Sequence, residues 1–291
     1  RWDDAIVDNW FKTSLKSGAE LGLGFSHEEP LTAMLRDHVS SYKDLPVSIF
    51  QFQTKFRNEL RAKSGIMRGR EFLMKDLYSF STTDEEHAVF YNRAKDAYVR
   101  IFDRVGLGEI TFPTYASGGV FSQFSLEFQT VTDAGEDVIY LDRKSGVAIN
   151  KEIMNDSISD EIGVDKSTAE ELKTVEVGNI FNLGTRFSEP LGLTFKDENG
   201  DRYPAVMGCY GIGIGRLMGT IAEVFADEKG LVWPKNVAPF DVHLIAIADQ
   251  EGKVMTEAEN LYQMLKDAGV ETLLDDRAVS TGAKFAEIGR A

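Results

Sequence analysis

The chain has 291 residues, of which 43% are hydrophobic and 27% are charged, and its formal net charge is −15. Such a composition is typical of a globular protein of about two domains. It excludes a disulfide-stabilised fold, since Cys209 is the single cysteine, and it argues against a zinc cage. No apolar run approaches the ~18 residues of a membrane-spanning helix, and a reducing, cytoplasmic location is expected.

The negative charge argues against a nucleic-acid partner, but cations are concentrated in one stretch. In residues 55–75 the basic residues outnumber the acidic ones. The basic residues are Lys55, Arg57, Arg61, Lys63, Arg68, Arg70 and Lys75. A run of this kind is either a solvated face or a binding surface for anions. The spacing of its residues on the predicted strands favours the second interpretation.

The first two predicted elements are helices at residues 8–21 and 31–41, the second of which ends before Pro46. Residues 47–59 and 70–80 are rich in β-branched and aromatic residues with partial alternation, which predicts two strands. The short connection between them predicts an antiparallel hairpin with a basic loop.

A long amphipathic helix is predicted at residues 84–105, where apolar side chains recur at three- and four-residue steps before Gly106. Residues 157–173 are polar and acidic, and they predict a connector. The other elements predicted before residue 235 are strands at 138–141, 175–180 and 205–210 and a helix at 214–225.

A second unit begins after Pro239. Residues 241–248 and 270–274 predict two strands, and a capping-box pattern at Thr256 and Glu259 begins the helix between them. Strand, helix and strand at this length predict a βαβ unit with parallel strands. A parallel sheet normally has more strands, so this domain is expected to be incomplete.

The hairpin carries the first group of residues with chemical potential. Arg57 and Glu59, two positions apart, are expected to project to the same side of a strand, as are Arg70 and Phe72 across the turn. Guanidinium groups bind phosphate or carboxylate oxygens, a carboxylate binds an amino group, and an aromatic ring stacks on a purine. An exposed salt-bridge ladder explains the spacing equally well.

The second group is the glycine-rich segment GCYGIGIGR at residues 208–216. It is not a dinucleotide fingerprint, because Arg216 stands where the third glycine is required, and it lacks a Walker lysine. The glycines predict a strand that runs into a helix and lets a ligand approach the backbone closely. Arg216, in the first turn of that helix, is placed to hold a terminal phosphate. Tight packing of the helix is the alternative explanation.

Together the two groups resemble motifs 2 and 3 of class II aminoacyl-tRNA synthetases. Over nearly the whole chain, further segments are similar to the bacterial prolyl-tRNA synthetases. These segments are SHEE at 26–29, SYKDLP at 41–46, MRGREF at 67–72, MKD at 74–76, SLEF at 125–128, GED at 135–137, EVGNIF at 176–181 and MGCYG at 207–211.

The resemblance implies an α+β fold. A class II antiparallel sheet flanked by helices would form a catalytic domain at residues 1–235, followed at 236–291 by the start of an α/β anticodon-binding domain. The implied reaction joins L-proline to ATP as prolyl-adenylate plus pyrophosphate and then transfers proline to tRNA. The implied cofactors and partners are ATP, Mg²⁺, L-proline, the tRNA for proline and a second copy in a homodimer, with no membrane.

The same resemblance assigns roles to individual residues, with Arg57 and Arg216 as the catalytic pair. The implied ATP site comprises Arg57, Glu59, Arg68, Arg70, Phe72, Glu176, Asn179 and Arg216. The implied proline site comprises Ser26, Glu28, Arg57, Phe181 and Cys209. Magnesium ligands are left unassigned. Glu127 is either a pocket residue or a strand-edge charge, and Lys75 and Asp76 are expected to pair with neighbouring groups.

The chain departs from the family pattern at several points. Ser26 stands where the family usually has threonine, and Asn179 where it often has histidine. Motif 1, which supplies the dimer interface, is absent from the sequence. The segment around residues 112–175 is only a remnant of the editing insertion, so we expect no editing in cis.

Two alternatives remain open. One is another class II synthetase of the same subclass, for threonine or serine, against which the segments at 26–29 and 208–210 count. The other is a synthetase-like protein that binds but does not catalyse. The presence of Arg57, Glu59, Phe72 and Arg216 together counts against that second alternative.

Overall fold

The computed structural model describes residues 7, 9–60, 62, 64–119, 121–228, 230–247 and 252–287. Backbone contacts divide the chain into two compact units. The first comprises Arg1–Asp103 and Leu107–Thr220, and the second comprises Arg104–Gly106 and Ile221–Ala291. Among the described residues, no helix has the length and apolar character needed to cross a membrane.

The described strands and helices alternate along the chain. The strands are β1 Lys12–Ser14, β2 Glu20–Gly22, β3 Val47–Phe56, β4 Glu71–Ser81, β5 Thr111–Ser117, β6 Phe124–Val131, β7 Asp137–Asp142, β8 Val147–Asn150, β9 Glu170–Gly184, β10 Thr194–Lys196, β11 Arg202–Pro204, β12 Val206–Gly213, β13 Val242–Ile245 and β14 Thr272–Asp275. The helices are α1 Glu28–Leu35, α2 Asp84–Arg104, α3 Asp156–Ile162, α4 Ser188–Leu191, α5 Ile214–Phe225, α6 Lys253–Asp267 and α7 Thr281–Glu287.

Eight strands of the first unit form one sheet in the order β3–β4–β12–β9–β6–β5–β8–β7. Strands β5 and β8 pair in parallel, and the other pairings among its described strands are antiparallel. Because β7 also pairs with the first residues of β9, the five strands from β9 to β7 close on themselves. The expected antiparallel sheet with flanking helices is confirmed.

Helix α2 packs on this sheet through its buried side chains Tyr98 and Phe102. Gly178 of β9 lies beneath them, and a Cβ there would come within 3.1 Å of both rings. The absence of a side chain at this one position therefore lets the helix approach the strand closely. The helix predicted at residues 84–105 is confirmed as α2, and its buried side chains recur at four- and seven-residue steps: His87, Ala94, Tyr98 and Phe102.

The predicted hairpin is also confirmed, with a register that runs from Val47 opposite Phe80 to Phe56 opposite Glu71. Strand β3 ends at Phe56, so Arg57 lies just beyond it rather than within it. The predicted strand-to-helix passage at the glycine-rich segment is present as β12 followed directly by α5.

Three expectations for the first unit are corrected. The helix predicted at 8–21 is a two-stranded hairpin of β1 and β2, which is exposed and turns at Gly18 with φ 85°. The helix predicted at 31–41 is α1, which begins and ends earlier. The connector predicted at 157–173 contains α3, capped by the Asn155 side chain, and the beginning of β9. The first and third of these segments carry polar sequences whose structure depends on caps and pairing rather than on apolar periodicity.

In the second unit, β13 and β14 pair in parallel on either side of α6, which confirms the βαβ prediction. The predicted capping box is wrong, because α6 begins at Lys253 after Gly252. The Thr256 hydroxyl instead donates to the Gly252 carbonyl one turn back. The strand predicted to reach Ala248 ends at Ile245, and Ala248 itself lies outside the described residues.

Candidate active site

Two adjoining cavities lie on the first unit. The hairpin cavity is lined by the loop of the β3–β4 hairpin, by β9 and by the first turn of α5. The acidic cavity is lined by the segment before α1 and by β6, β9 and β12. It is named for four carboxylates on its wall: Glu28, Asp76, Glu127 and Glu176. Both cavities share Arg57 and Asn179, so ligands in the two would lie side by side.

Strand register brings the walls together. Gly211 of β12 lies opposite Asp76 on β4 and opposite Asn179 on β9, which places three cavity residues in one row across the sheet. A Cβ on Gly211 would come within 2.6 Å of the Met74 side chain, so glycine keeps this row open. Every predicted site residue except Arg70 lines one or both cavities.

Arg57 stands where the two cavities meet. Its guanidinium lies between two aromatic rings, 4.8 Å from the centroid of Phe25 and 5.3 Å from that of Phe72. Its Nε is buried and has no hydrogen-bond partner among the described residues. Burial lowers the pKa of Arg57, and the nearby Glu176 carboxylate partly offsets this effect. Cation–π contacts of this kind hold the guanidinium while its N–H groups can still bind an anionic ligand.

Arg216 is already hydrogen-bonded on the opposite wall of the hairpin cavity. Its Nη1 donates to Glu176 Oε2 at 3.0 Å, and its Nε donates to the Met67 carbonyl at 3.0 Å. The other Glu176 oxygen accepts a hydrogen bond from the Asn179 amide at 3.0 Å. The network holds the Arg216 cation over the cavity at the start of α5, where the helix dipole also favours an anion.

Arg68 and Arg70, predicted as alternative phosphate ligands, lie in different places. Arg68 lines the hairpin cavity and donates to Glu59 Oε2 at 3.1 Å and to Glu136 Oε2 at 2.7 Å. Arg70 is exposed, and its Nε donates to the Glu59 carbonyl at 2.9 Å. Arg70 is not among the described residues that line either cavity. Its hydrogen bond to the Glu59 carbonyl instead holds the hairpin loop.

The acidic cavity is built around Glu28, the first residue of α1, which is only 2% exposed. The Cys209 thiol donates to Glu28 Oε1 at 3.3 Å, whereas Oε2 is buried and has no partner among the described residues. Burial raises the pKa of Glu28, an effect partly offset by hydrogen bonds from Ser26 and Cys209. A buried carboxylate oxygen without a donor is costly unless a ligand supplies one.

One part of the wall of this cavity is apolar. Phe181 of β9 lies directly opposite Cys209 of β12, and its ring contacts that of Phe121 at a centroid distance of 5.1 Å. Burial raises the pKa of the Cys209 thiol well above its usual range, so the thiol acts as a wall and a weak donor rather than as a nucleophile. The space between Phe181 and Glu28 suits a small ligand with an apolar body and a cationic group.

Sequence reasoning left Glu127 open, as a pocket residue or a strand-edge charge, and kept Asp76 outside the site; both line the acidic cavity. Burial and the nearby Glu176 carboxylate raise the pKa of Glu127 to about 9. The Gln129 amide links Glu127 to Asp137, with distances of 2.7 and 2.9 Å. The signal available in the sequence was the two-residue spacing of Glu127 and Gln129, which places both on one face of β6.

Two members of the basic cluster are internal. Lys55 is 1% exposed and pairs with Asp76. Lys75 donates to the Tyr98 hydroxyl at 2.7 Å and to the Tyr210 carbonyl at 3.0 Å, and burial lowers the pKa of Lys75 to about 8. The interpretation of the whole cluster as an anion-binding surface is therefore too broad, since these two cations support the sheet.

Among the described residues, no group of three or more histidines, cysteines or carboxylates is placed to hold a metal ion. Mg²⁺ does not need such a cage, because it is commonly bound by substrate phosphates and one or two carboxylates. Glu176 and Asn179, which are hydrogen-bonded to each other on β9, offer oxygen ligands beside the Arg216 cation. The residues present thus fit a phosphate-bound magnesium ion.

Comparison with known proteins identifies the family of the chain. Residues 11–225 match the model of the class II tRNA synthetase core domain (G, H, P, S and T), and residues 241–291 match an anticodon-binding domain. The proline–tRNA ligase of Anaplasma marginale is 39% identical over 94% of this chain and 66% of its own length. That of Zymomonas mobilis is 38% identical over 97% of this chain and 69% of its own length.

Solved structures show the same fold. Prolyl-tRNA synthetase from Cryptosporidium parvum, complexed with L-proline and AMP, has a TM-score of 0.74 at 21% identity. The match covers 97% of this chain and 52% of that one. This chain thus spans about two thirds of the bacterial relatives and about half of the solved one. Family model and relatives together show that the chain belongs to the class II aminoacyl-tRNA synthetases, in the proline–tRNA ligase family.

Proposed function

We propose that this chain is the catalytic part of a proline–tRNA ligase and that it joins L-proline to ATP as prolyl-adenylate. The observation that carries the proposal is the position of Arg57. Its Nε is buried without a hydrogen-bond partner among the described residues, and the side chain lines both the cavity that contains Glu28 and the cavity that contains the second cation, Arg216.

The acidic cavity is proposed as the proline site. The prolyl ammonium would donate to the open oxygen of Glu28, which restores the hydrogen bond that this buried group lacks. Arg57 would hold the carboxylate, and Ser26 would support Glu28. Phe181 and Cys209 would contact the ring. Such a pocket would bind a small ligand that has an apolar body, one ammonium group and one carboxylate.

The hairpin cavity is proposed as the ATP site. Phe72 would stack on the adenine and Glu59 would accept from its amino group. Arg57, Arg68 and Arg216 would bind phosphate oxygens, and Arg70 would hold the loop through its hydrogen bond to the Glu59 carbonyl. Arg68 and Arg216 now pair with carboxylates, and bound phosphates would take the place of those carboxylates. Such partly exposed ion pairs are weak enough to exchange.

The proposed reaction is an in-line displacement. A carboxylate oxygen of proline forms a bond to the α-phosphorus of ATP, and the bond to the β-phosphate oxygen breaks, so that pyrophosphate leaves with the electron pair. Because the nucleophile is already ionised, the chain needs no general base. Arg57 would hold both reactants and offset charge on the α-phosphate, and Arg216 would offset charge on the leaving group.

Magnesium is proposed as a companion of ATP rather than a resident ion. Glu176 and Asn179 are the residues that would hold it. When bound, it would neutralise phosphate charge and keep the chain of phosphates bent.

The remaining partners are proposals that rest on the family. The tRNA for proline would receive the amino acid, and the segment at 236–291 would belong to the anticodon-binding domain. A homodimer and a cytoplasmic location are carried over as predictions. Because the net charge is −15, we expect tRNA binding by this chain to be weak and sensitive to salt.

Amino-acid-dependent ATP–pyrophosphate exchange tests the proposal. Proline should support exchange, whereas threonine, serine, alanine and cysteine should support little. Arg93→Ala, which removes an exposed cation from α2, is the control and should leave proline-dependent exchange unchanged. Dominant exchange with threonine or serine would show that the chain is a class II synthetase for that amino acid instead. Binding of proline without any exchange would identify a non-catalytic binding protein.

A further inference from the structure

Lys55 is an unusual residue for the interior, because its side chain is 1% exposed. Lysine is almost never fully buried unless it is paired. It lies on β3 beneath the acidic cavity, yet it is not among the described residues that line the cavity. It therefore takes no place in the mechanism above, although it lies within bonding distance of two residues that adjoin the proposed proline site.

Both partners of Lys55 belong to the surroundings of Glu28. Its Nζ forms an ion pair with Asp76, a residue that is 5% exposed and lines the acidic cavity. It also lies 2.5 Å from Nδ1 of His27. Since the ammonium can only donate, Nδ1 must accept, and the ring proton is assigned to Nε2.

His27 immediately precedes Glu28 and occupies the N-cap position of α1, where its side chain makes no capping hydrogen bond. Its ring packs on Gly24, where an added Cβ would come within 3.0 Å of the ring. The Phe56 amide, next to Lys55 on β3, donates to the Gly24 carbonyl at 2.9 Å. Two consecutive residues of β3 thus hold the segment 24–28, one through the main chain and one through the side chain.

We propose that Lys55 is a positioning residue for the amino-acid substrate, which acts by holding His27 and thereby fixing Glu28. The inference rests on the proposed proline site. The open oxygen of Glu28 contributes to binding only if it is held in place, because a buried hydrogen bond to a charged group is strongly dependent on geometry. The ion pair also occupies Asp76, which leaves Glu28 as the carboxylate available to the ammonium.

The decisive variant is Lys55→Met combined with Asp76→Asn, which removes both buried charges and keeps the side-chain volumes. Such replacements of a buried pair commonly preserve folding. Isothermal titration should show proline binding weakened by about tenfold or more, with ATP affinity changed by less than about twofold, as expected for a contact confined to one site. Lys55→Arg, which retains a donor, should recover part of the proline affinity.

Lys75→Met is the matched control, since Lys75 is the other internal lysine of the same hairpin and contacts Tyr98 and Tyr210 instead of His27. It should lower the melting temperature without changing the ratio of proline to ATP affinity. Equal losses for both ligands in the Lys55 double variant, or unchanged proline binding, would overturn the inference.

A spectroscopic readout separates this inference from the proposed function. Nitrogen-15 shifts of the imidazole, assigned with His27→Asn, should report the Nε2–H tautomer in the unaltered chain and a mixture in the double variant. An unaltered chain that binds ATP but no proline would refute the proline site and this role of Lys55 together. A His27 ring that already shows mixed tautomers would refute the Lys55 contact alone.

Discussion

The two cavities meet at Arg57 but treat charge differently. In the hairpin cavity, Arg68 and Arg216 are paired with carboxylates and partly exposed. In the acidic cavity, Glu28 is buried and one of its carboxylate oxygens has no partner within the part of the chain that the structure describes. Exposed pairs cost little to exchange, whereas a buried unpaired oxygen gains a full hydrogen bond from the right ligand. The difference suits a flexible polyphosphate on one side and a small, rigid amino acid on the other.

Loss of Arg57 should have the largest effect, because this residue serves both cavities. Arg57→Ala should reduce pyrophosphate exchange by about a thousandfold, the upper range for removal of one charge-stabilising donor. Steady-state exchange at saturating proline and ATP measures it. A defect confined to the KM of one substrate would show that Arg57 belongs to one cavity only.

Glu28→Gln should separate the two cavities. Proline affinity should fall by about 10- to 100-fold, the range for a hydrogen bond to a charged group, and ATP affinity should stay unchanged. Because burial raises the pKa of Glu28, proline binding by the unaltered chain should weaken as pH falls through that raised value. Calorimetric titration across pH measures both effects, and an unaltered pH profile in the variant would contradict the assignment.

Glu127 gives the acidic cavity a cost in stability. Between the ordinary value of 4.5 and the pKa of about 9 in the folded chain, folded Glu127 holds a proton that the unfolded chain releases. The free energy of unfolding should therefore fall as pH rises, by up to about 1.4 kcal/mol per pH unit. Glu127→Gln should remove this slope, so its advantage over the unaltered chain should grow from pH 5 to pH 8 in urea titrations. A constant difference would show that Glu127 is ionised in the folded chain.

Arg68 and Arg70 provide a finer comparison within the hairpin cavity. Arg68→Ala should weaken ATP binding by about tenfold, whereas Arg70→Ala should change it by less than about threefold, since only Arg68 lines the cavity. Paired ATP titrations of the two variants measure the ratio. Equal losses would place Arg70 in the ATP site, as the family resemblance implied.

The smallest expected effect concerns fidelity. A pocket for proline excludes the smaller alanine poorly, because each missing methylene is worth only about 1–3 kcal/mol. The family resemblance predicts that the segment around residues 112–175 keeps only a remnant of an editing insertion, so alanine misattached to the tRNA for proline should be hydrolysed no faster than it is in buffer. Rapid deacylation by the chain would reveal an editing activity that neither cavity explains.

Much of the first unit could be predicted from the sequence. The hairpin of β3 and β4, helix α2 and the passage from β12 to α5 all have local signals, either apolar periodicity or glycines at a strand-to-helix junction. The short hairpin of β1 and β2 had no such signal, because its strands are polar and exposed. Its structure depends on the turn at Gly18 and on pairing.

What the sequence determined by itself is the kind of chemistry: Arg57, Glu28, Phe72 and Arg216 are charged or aromatic groups whose types suit an amino acid and a nucleotide. The tertiary structure alone decided which cations serve that chemistry. Lys55 and Arg70 belong to the same basic run, yet one is buried against Asp76 and His27 and the other is exposed. Burial and pairing between distant segments set these roles, because the energy of a charge depends on its surroundings and not on its neighbours in the chain.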